Sequence, residues 1–179
     1  MRYQDQAVLV TGGASGIGQQ VCLAAAREGA RVAIGDRDLD RAEQTAATIR
    51  ATGAEAQAFA LDVADPASVN SFIAAAETTL GRLDVLVNSA GVREIVSVLD
   101  LSFEEWQRVI SINLSGTFLA SQAFARRLVA AGKSGRIVNV ASTLGQMAAP
   151  KRAAYVASKH GVVGLTKQMA MEFGDSASA

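Results

Sequence analysis

Short apolar segments alternate with longer segments of helical periodicity along most of this chain. The predicted strands are residues 7–10, 31–34, 56–61, 85–87 and 136–140. Consecutive strands that are separated by helices pair in parallel, through right-handed crossovers. Strands this short and apolar suit a sheet that helices cover on both faces. We therefore predict an α/β fold with a doubly wound parallel sheet, in a single domain over residues 1–179.

Local signals mark where the predicted helices begin. Asp38, Asp65 and Ser102 each precede a helical segment, and their side chains can accept hydrogen bonds from its first free N–H groups. Ser102 and Glu105 have the spacing of a capping box that starts one helix, and a long helix follows it to about residue 131. The last helix is expected over residues 153–173.

A glycine-rich turn joins the first strand to the first helix. Small residues let the backbone approach a phosphate closely, and the N–H groups of the following helix stabilise negative charge. The spacing is Gly12-x-x-x-Gly16-x-Gly18 and not the commoner G-x-G-x-x-G. Such a turn can be purely structural, but its position between a strand and a helix predicts nucleotide binding. The candidate contacts in this turn are Gly12, Ser15, Gly16, Ile17 and Gly18.

An acidic residue, Asp36, follows the second strand. A carboxylate in this position accepts hydrogen bonds from the ribose hydroxyls of an adenosine half, and its charge repels a 2′-phosphate. Arg37 follows directly, and its guanidinium suits either pairing with that phosphate or stacking on adenine. Both residues are also compatible with solvated loop charges. We predict NAD as the cofactor, with NADP as the other possibility.

Tyr155 and Lys159 are separated by four positions on the predicted last helix, so they share one helix face. An ammonium beside a phenol favours the phenolate, which suits tyrosine to exchange a proton near neutral pH. Ser142 follows the fifth strand, at the sheet edge where doubly wound folds bind ligands. Separately, these residues are compatible with a surface phenol, a solvated charge and a turn residue. Together they predict proton transfer at a substrate oxygen.

The composition argues against several classes of function. Lysine plus arginine number 17, as do aspartate plus glutamate, so no basic excess attracts nucleic acid or anionic lipid. No apolar run reaches the roughly 18 residues of a membrane span. One cysteine, Cys22, and one histidine, His160, make neither an intrachain disulfide nor a usual zinc site. We expect a cytoplasmic protein with a small-molecule substrate and with no metal, nucleic-acid or membrane partner.

Taken together, these motifs resemble the short-chain dehydrogenase/reductase family over nearly the whole chain. The matching segments are Thr11-Gly12-x-x-x-Gly16-x-Gly18, Leu61-Asp62-Val63, Asn88-Ser89-Ala90-Gly91, Asn113, Ser142 and Tyr155-x-x-x-Lys159. Ser89 stands where the family more usually has asparagine. The resemblance implies a Rossmann-like sheet of strand order 3-2-1-4-5. It also implies an NAD(P)-dependent oxidoreductase that interconverts a secondary alcohol and a ketone, with a 3-oxoacyl thioester, sugar, polyol or steroid as substrate.

The resemblance also implies roles for individual residues. Tyr155 is expected to be the general acid/base, and Lys159 to hold the nicotinamide ribose and favour the phenolate. Ser142 is expected to bind the substrate carbonyl, and Asn113 to anchor a water that links Lys159 to solvent. The implied cofactor contacts beyond the glycine turn are Asp62 at the adenine amino group and, along the cleft, Val63, Asn88, Ala90 and Gly91.

Members of the family usually continue beyond the last residue of this sequence. Their further chain forms a sixth strand, a Pro-Gly turn at the nicotinamide carboxamide, a substrate lid and a seventh strand, and none of these follows Phe173 here. We expect the fifth strand to be a sheet edge, and the chain to bind cofactor weakly and turn over little substrate. The alternative function is that of a non-catalytic nucleotide-binding remnant, or of an incomplete fragment of a short-chain dehydrogenase.

The helices expected around residues 116–131 and 153–173 carry apolar side chains over most of their circumference. One side of such a helix covers the sheet, and the other side needs a partner. Members of the family that the chain resembles form dimers through these two helices. We therefore predict a homo-oligomer.

Overall fold

A computed structural model describes residues 1–175, which contain one parallel sheet. Its strands are β1 (Ala7–Thr11), β2 (Arg31–Asp36), β3 (Ala56–Ala60), β4 (Val85–Asn88) and β5 (Arg136–Asn139). The order across the sheet is β3-β2-β1-β4-β5, which confirms the predicted Rossmann-like arrangement. The strand order reverses between β1 and β4, and the predicted ligand-binding crevice lies at that reversal.

Helices cover both faces of the sheet. They are α1 (Gly16–Arg27), α2 (Leu39–Arg50), α3 (Pro66–Leu80), α4 (Phe103–Ile110), α5 (Gly116–Ala130) and α6 (Ala153–Asp175). Alternate residues of β1 point to opposite faces, as the pleat of a strand requires. Val8 and Val10 pack with α1 and α2, whereas Ala7 and Leu9 pack with α3 and α5. Two apolar layers therefore enclose the strands, and this explains why the strands are so uniformly apolar.

The one cysteine of the chain lies in the apolar layer beside the glycine turn. Cys22, on α1, is fully buried in the layer that α1 and α2 cover. Burial raises the pKa of its thiol to about 12, so the side chain serves as a small apolar group at neutral pH.

The predicted helix starts are confirmed, with one difference. Asp38 accepts a hydrogen bond from the N–H of Arg41, and the Asp65 carboxylate accepts from two N–H groups at the start of α3. Ser102 caps α4 by accepting from the N–H of Glu105 at 3.2 Å. In a complete capping box, the Glu105 carboxylate would also accept from the backbone N–H of Ser102. Here it accepts from the guanidinium of Arg108 at 2.7 Å instead, as an ion pair.

The predicted helix after Ser102 and the long helix that follows it are joined without a loop. A π-helical segment, Ser111–Ser115, separates α4 from α5 and contains the buried Asn113. The Asn113 side chain hydrogen-bonds to both backbone groups of Val92 and to the Ser158 hydroxyl. The wider turn brings this amide inward, and such turns often occur at functional sites. The helical periodicity of the sequence contains no sign of it, and the residues that Asn113 bonds to lie 21 and 45 positions away.

The strand β5 lies at one edge of the described sheet, as predicted. It is more exposed than β4, and Val138 keeps 49% of its surface accessible. A groove runs beside this strand between α5 and α6, and its apolar lining includes Phe124, Leu128, Ile137 and Met169. Within residues 1–175, no helix combines the length and apolar character needed to cross a membrane.

Candidate active site

A cavity of about 490 Å³ lies at the carboxyl ends of the strands. It is the place where a doubly wound sheet binds its ligand. The structure brings most of the predicted site residues into its lining. These are Gly12, Ser15, Gly16, Ile17, Gly18, Asp36, Arg37, Asp62, Val63, Ala90, Gly91, Tyr155 and Lys159.

The glycine turn forms one side of this cavity through close backbone packing. A Cβ atom added at Gly12 would lie 2.6 Å from the Cα of Ala90, in the turn after β4. A Cβ added at Gly18 would lie 2.1 Å from the carbonyl oxygen of Gly12. Both distances are shorter than any real contact, so the turn can fold this way only with glycine at these two positions. It leaves a concave backbone surface at the start of α1, of the kind that receives a phosphate group.

Asp36 ends β2 and organises the turn beside it. One carboxylate oxygen accepts a hydrogen bond from the N–H of Ala14 at 3.0 Å, and the other accepts from the N–H of Asp38 at 3.0 Å. A carboxylate oxygen can accept more than one hydrogen bond, so both oxygens keep capacity for a ligand hydroxyl. Arg37 lies next to it with an exposed side chain. Asp62, after β3, is exposed and accepts from the N–H of Ala64.

Tyr155 and Lys159 form the other end of the cavity. The ammonium of Lys159 lies 5.7 Å from the centre of the Tyr155 ring, as the spacing of the pair on one helix face predicts. The ammonium also donates a hydrogen bond to the backbone oxygen of Val140 at 2.7 Å. Only 7% of Lys159 is exposed, and burial lowers the pKa of its ammonium below the usual value. Tyr155 is half-buried, with its side chain in the cavity lining.

Ser142 follows β5 directly after Ala141, which lines the cavity. Its hydroxyl oxygen accepts a hydrogen bond from the N–H of Leu144 at 3.1 Å and caps a short 3₁₀ turn over Thr143–Gly145. A hydroxyl that accepts from the backbone keeps its own hydrogen for donation. Ser142 is therefore able to donate to a ligand oxygen, although its side chain is not part of the cavity lining in this structure.

Two predicted asparagines lie behind the cavity lining. Asn113 is fully buried and hydrogen-bonds within the protein. Asn88, which the resemblance made a cofactor contact, donates to Ser121 at 2.9 Å and to Asn139 at 2.8 Å. These two bonds join β4 to α5 and β5, and the Asn88 side chain is not part of the cavity lining.

Sequence reasoning missed several residues of the site. Ile112, Val140 and Ala141 line the cavity without belonging to any motif, and so do Val92 and Arg93 in the segment after β4. Their only sequence signal is that each lies within two positions of a motif residue. The oxygen that binds Lys159 belongs to the backbone of Val140, and a backbone group has no signature in a sequence.

The comparison with known families agrees with this geometry. The family model described as short chain dehydrogenase matches residues 6–177. This chain belongs to the short-chain dehydrogenase family. The membership confirms the resemblance noted from the motifs.

Several curated proteins named as dehydrogenases or reductases are similar to this chain. The D-threitol dehydrogenase of Mycolicibacterium smegmatis is 44% identical over 173 residues, a match that spans 97% of this chain and 66% of the relative. The 3-oxoacyl-[acyl-carrier-protein] reductase of Synechocystis is 40% identical over 93% of this chain and 68% of the relative. The sorbitol dehydrogenase of Cereibacter sphaeroides is 40% identical over 93% of this chain and 64% of the relative.

Solved structures of short-chain dehydrogenases match the fold closely. A short-chain type dehydrogenase/reductase from Mycobacterium marinum superposes with a TM-score of 0.94 at 35% identity. The match covers 98% of this chain and 72% of that structure. The chain spans about two thirds of the length of the curated relatives it matches, as the 66% and 64% coverages above show.

The packing of the glycine turn yields a test of the site's architecture. We expect Gly18→Ala to lower the free energy of unfolding by about 1–3 kcal/mol, because its Cβ would overlap the Gly12 carbonyl. Gly164→Ala is the matched control, since a Cβ added at this exposed helix position has nothing within 4 Å. It should stabilise the protein by roughly 0.5–1 kcal/mol. Urea denaturation measures both values, and equal stability of the two variants would contradict the packing described for the turn.

Proposed function

We propose that the protein is an NAD-dependent oxidoreductase that interconverts a secondary alcohol and a ketone. The observation that carries the proposal is the arrangement of one cavity. A glycine turn and an acidic residue suited to an adenosine half lie at one end, and the Tyr155–Lys159 pair lies at the other. Membership in the short-chain dehydrogenase family supports the same reading.

The residues of this cavity fit a nicotinamide dinucleotide. The turn between Gly12 and Gly18 can pack this tightly only without a Cβ at those two glycines, and the backbone surface that it leaves at the start of α1 suits a pyrophosphate. The Asp36 carboxylate suits the two hydroxyls of the adenosine ribose, and Asp62 suits the adenine amino group. Lys159, at the far end, has ammonium hydrogens beyond the one given to Val140, and these suit the second ribose. The bound cofactor supplies the carbon that gives or takes the hydride.

The protein's own chemistry is proton transfer at the substrate oxygen. In the direction of reduction, the Tyr155 hydroxyl donates a proton to the oxygen of the former ketone, and in the direction of oxidation the phenolate accepts it. The nearby Lys159 ammonium stabilises the phenolate that remains after donation. Ser142 holds the substrate oxygen by donating its hydroxyl hydrogen. Reduction therefore consumes one hydride from the cofactor and one proton from Tyr155.

The substrate class follows from the relatives. Proteins named for D-threitol, sorbitol and 3-oxoacyl-[acyl-carrier-protein] all resemble this chain to a similar degree. Each of these names denotes a compound with a hydroxyl on a carbon chain, or the ketone that corresponds to it. We propose a polyol, sugar or 3-oxoacyl thioester as the substrate of this site.

Cofactor choice gives the first test of the proposal. Asp36 should make the protein bind NAD(H) more tightly than NADP(H), because its charge attracts hydroxyls and repels a 2′-phosphate. Asp36→Ala should reduce the difference between the affinities for NAD(H) and NADP(H). Asp40→Ala is the matched control, since Asp40 is an exposed acid in the first turn of α2 and lies outside the cavity lining. Fluorescence titration with both cofactors measures the affinities, and tighter binding of NADP(H) by the wild type would assign Arg37 as a phosphate ligand instead.

Substitution of the phenol tests the chemistry. Tyr155→Phe should lower kcat by about 10²–10⁴-fold and leave cofactor affinity unchanged, because only the proton donor is lost. Lys159→Ala should reduce both kcat and the affinity for the cofactor, because Lys159 serves both the phenolate and the nicotinamide ribose. Tyr3→Phe, at a partly buried tyrosine outside the cavity, is the control and should retain full activity.

Steady-state assays with D-threitol, sorbitol and a 3-oxoacyl thioester provide these measurements. Substantial activity of Tyr155→Phe would mean that another group transfers the proton. Cofactor binding by the wild type without turnover of any substrate in the panel would favour the non-catalytic nucleotide-binding alternative.

We also propose a homo-oligomer that forms through α5 and α6. Phe118 and Val129 on α5 are 41% and 67% exposed, and Met171 on α6 is 71% exposed. Apolar side chains at this exposure suit an interface with a second copy. We expect at least a dimer by light scattering at micromolar concentration, and Phe118→Glu should shift it towards monomer. A monomeric wild type would contradict this proposal.

A further inference from the structure

The catalytic helix α6 begins without a local cap. The first N–H groups of a helix lack partners within it, and a serine, threonine, aspartate or asparagine just before the helix usually accepts from them. Here the preceding residues are Pro150, Lys151 and Arg152, and none of them has a side-chain oxygen. The hydrogen-bond acceptor for the first turn of α6 therefore has to come from elsewhere in the chain.

Glu94 supplies this acceptor from the segment after β4. Its Oε1 atom accepts from the N–H of Ala154 at 2.9 Å and from the N–H of Tyr155 at 3.2 Å. Only 4% of Glu94 is exposed, although glutamate is rarely buried without a specific partner. Its negative charge faces the positive end of the α6 dipole, where a carboxylate is stabilised. Its second oxygen, Oε2, is buried and has no hydrogen-bond partner among the described residues.

Further contacts join the same two segments. The guanidinium of Arg152 donates to the backbone oxygen of Glu94. The N–H of Val96 donates to the backbone oxygen of Lys151 at 3.3 Å. Lys151 has a φ of +58°, a left-handed conformation that is unfavourable for a residue with a side chain. The surrounding contacts hold this residue in that conformation, so the start of α6 is fastened to the segment that contains Glu94.

The backbone of Tyr155 is thereby held on both sides. Its N–H donates to Glu94, and its carbonyl oxygen accepts from the Ser158 hydroxyl at 2.7 Å. Ser158 in turn accepts from Asn113 at 3.1 Å, and Asn113 bonds to both backbone groups of Val92. Since Val92 and Glu94 belong to one short segment, these bonds form a closed ring around the backbone of the tyrosine.

We propose that Glu94 is a positioning residue that fixes the place of Tyr155 in the site. It lies outside the cavity lining, and it acts by holding the N–H of the residue that transfers the proton. The effect on catalysis rests on the proposed function, whereas the effect on the tyrosine backbone does not. A displacement of about 1 Å in a reacting group can cost on the order of 100-fold in rate, so a loosened helix start should be visible in kcat.

Three substitutions in the full chain test the proposal. Glu94→Ala removes the acceptor, and Glu94→Gln keeps an acceptor oxygen and the side-chain volume. Asp65→Ala is the matched control, because Asp65 also accepts from two helical N–H groups, those of Ala67 and Ser68, at the start of α3. The measurements are amide hydrogen exchange of the peptide that contains Ala154 and Tyr155, the dissociation constant for NAD(H), and kcat at saturating cofactor with the same substrate panel.

We expect Glu94→Ala to accelerate exchange at Ala154 and Tyr155 and to lower kcat on the order of 100-fold, with an unchanged dissociation constant for NAD(H). Glu94→Gln should retain most of kcat. Asp65→Ala should accelerate exchange at the start of α3 and lose thermal stability without a change in kcat.

Two results would overturn the inference. One is unchanged exchange at Ala154 and Tyr155 in Glu94→Ala, and the other is an equal loss of kcat in Glu94→Ala and Asp65→Ala. If the wild type binds NAD(H) but turns over no substrate in the panel, the proposed function fails by itself. Accelerated exchange in Glu94→Ala would then still support the positioning of Tyr155, and unchanged exchange would refute it.

Discussion

Two turns at the centre of the sheet contact each other directly, and the site depends on that contact. Thr11 ends β1, and its hydroxyl oxygen accepts hydrogen bonds from the N–H groups of Ser89 and Ala90, both at 3.3 Å. Gly12 follows, and the absence of a Cβ lets the turn after β1 approach Ala90 closely. A side chain at this position would force the turns apart. Because β1 also pairs with β2, the same strand keeps Asp36 beside the glycine turn.

The helix α6 connects this central contact to the outer part of the sheet. At its first turn it is held by Glu94, which follows β4, and one turn later the Lys159 ammonium reaches Val140, which follows β5. The cavity therefore has a backbone surface suited to phosphate at one end and a phenol with an ammonium at the other. The distance between the two ends is set by the sheet, since β4 lies between β1 and β5.

Several features were predictable because they depend on neighbours in the sequence. The caps at Asp38 and Asp65 and the pairing of Tyr155 with Lys159 follow from spacings of a few residues, and the structure contains them. The strand order was implied by family resemblance and not by any local pattern. The capping box at Ser102 shows that two local signals can compete, because Glu105 also has Arg108 three residues further along the helix and pairs with that guanidinium instead.

The sequence by itself determined the alternation of strands and helices, the glycine turn and the order in which the chemical groups follow the strands. These properties depend on periodicity and residue size, which any short window of the chain reveals. The tertiary structure alone decided the π-helical turn at Asn113, the oxygen that receives Lys159 and the cap that Glu94 gives to α6. Each of these joins residues far apart in the chain or uses a backbone atom. Such contacts exist only after the sheet has brought the ends of its strands together.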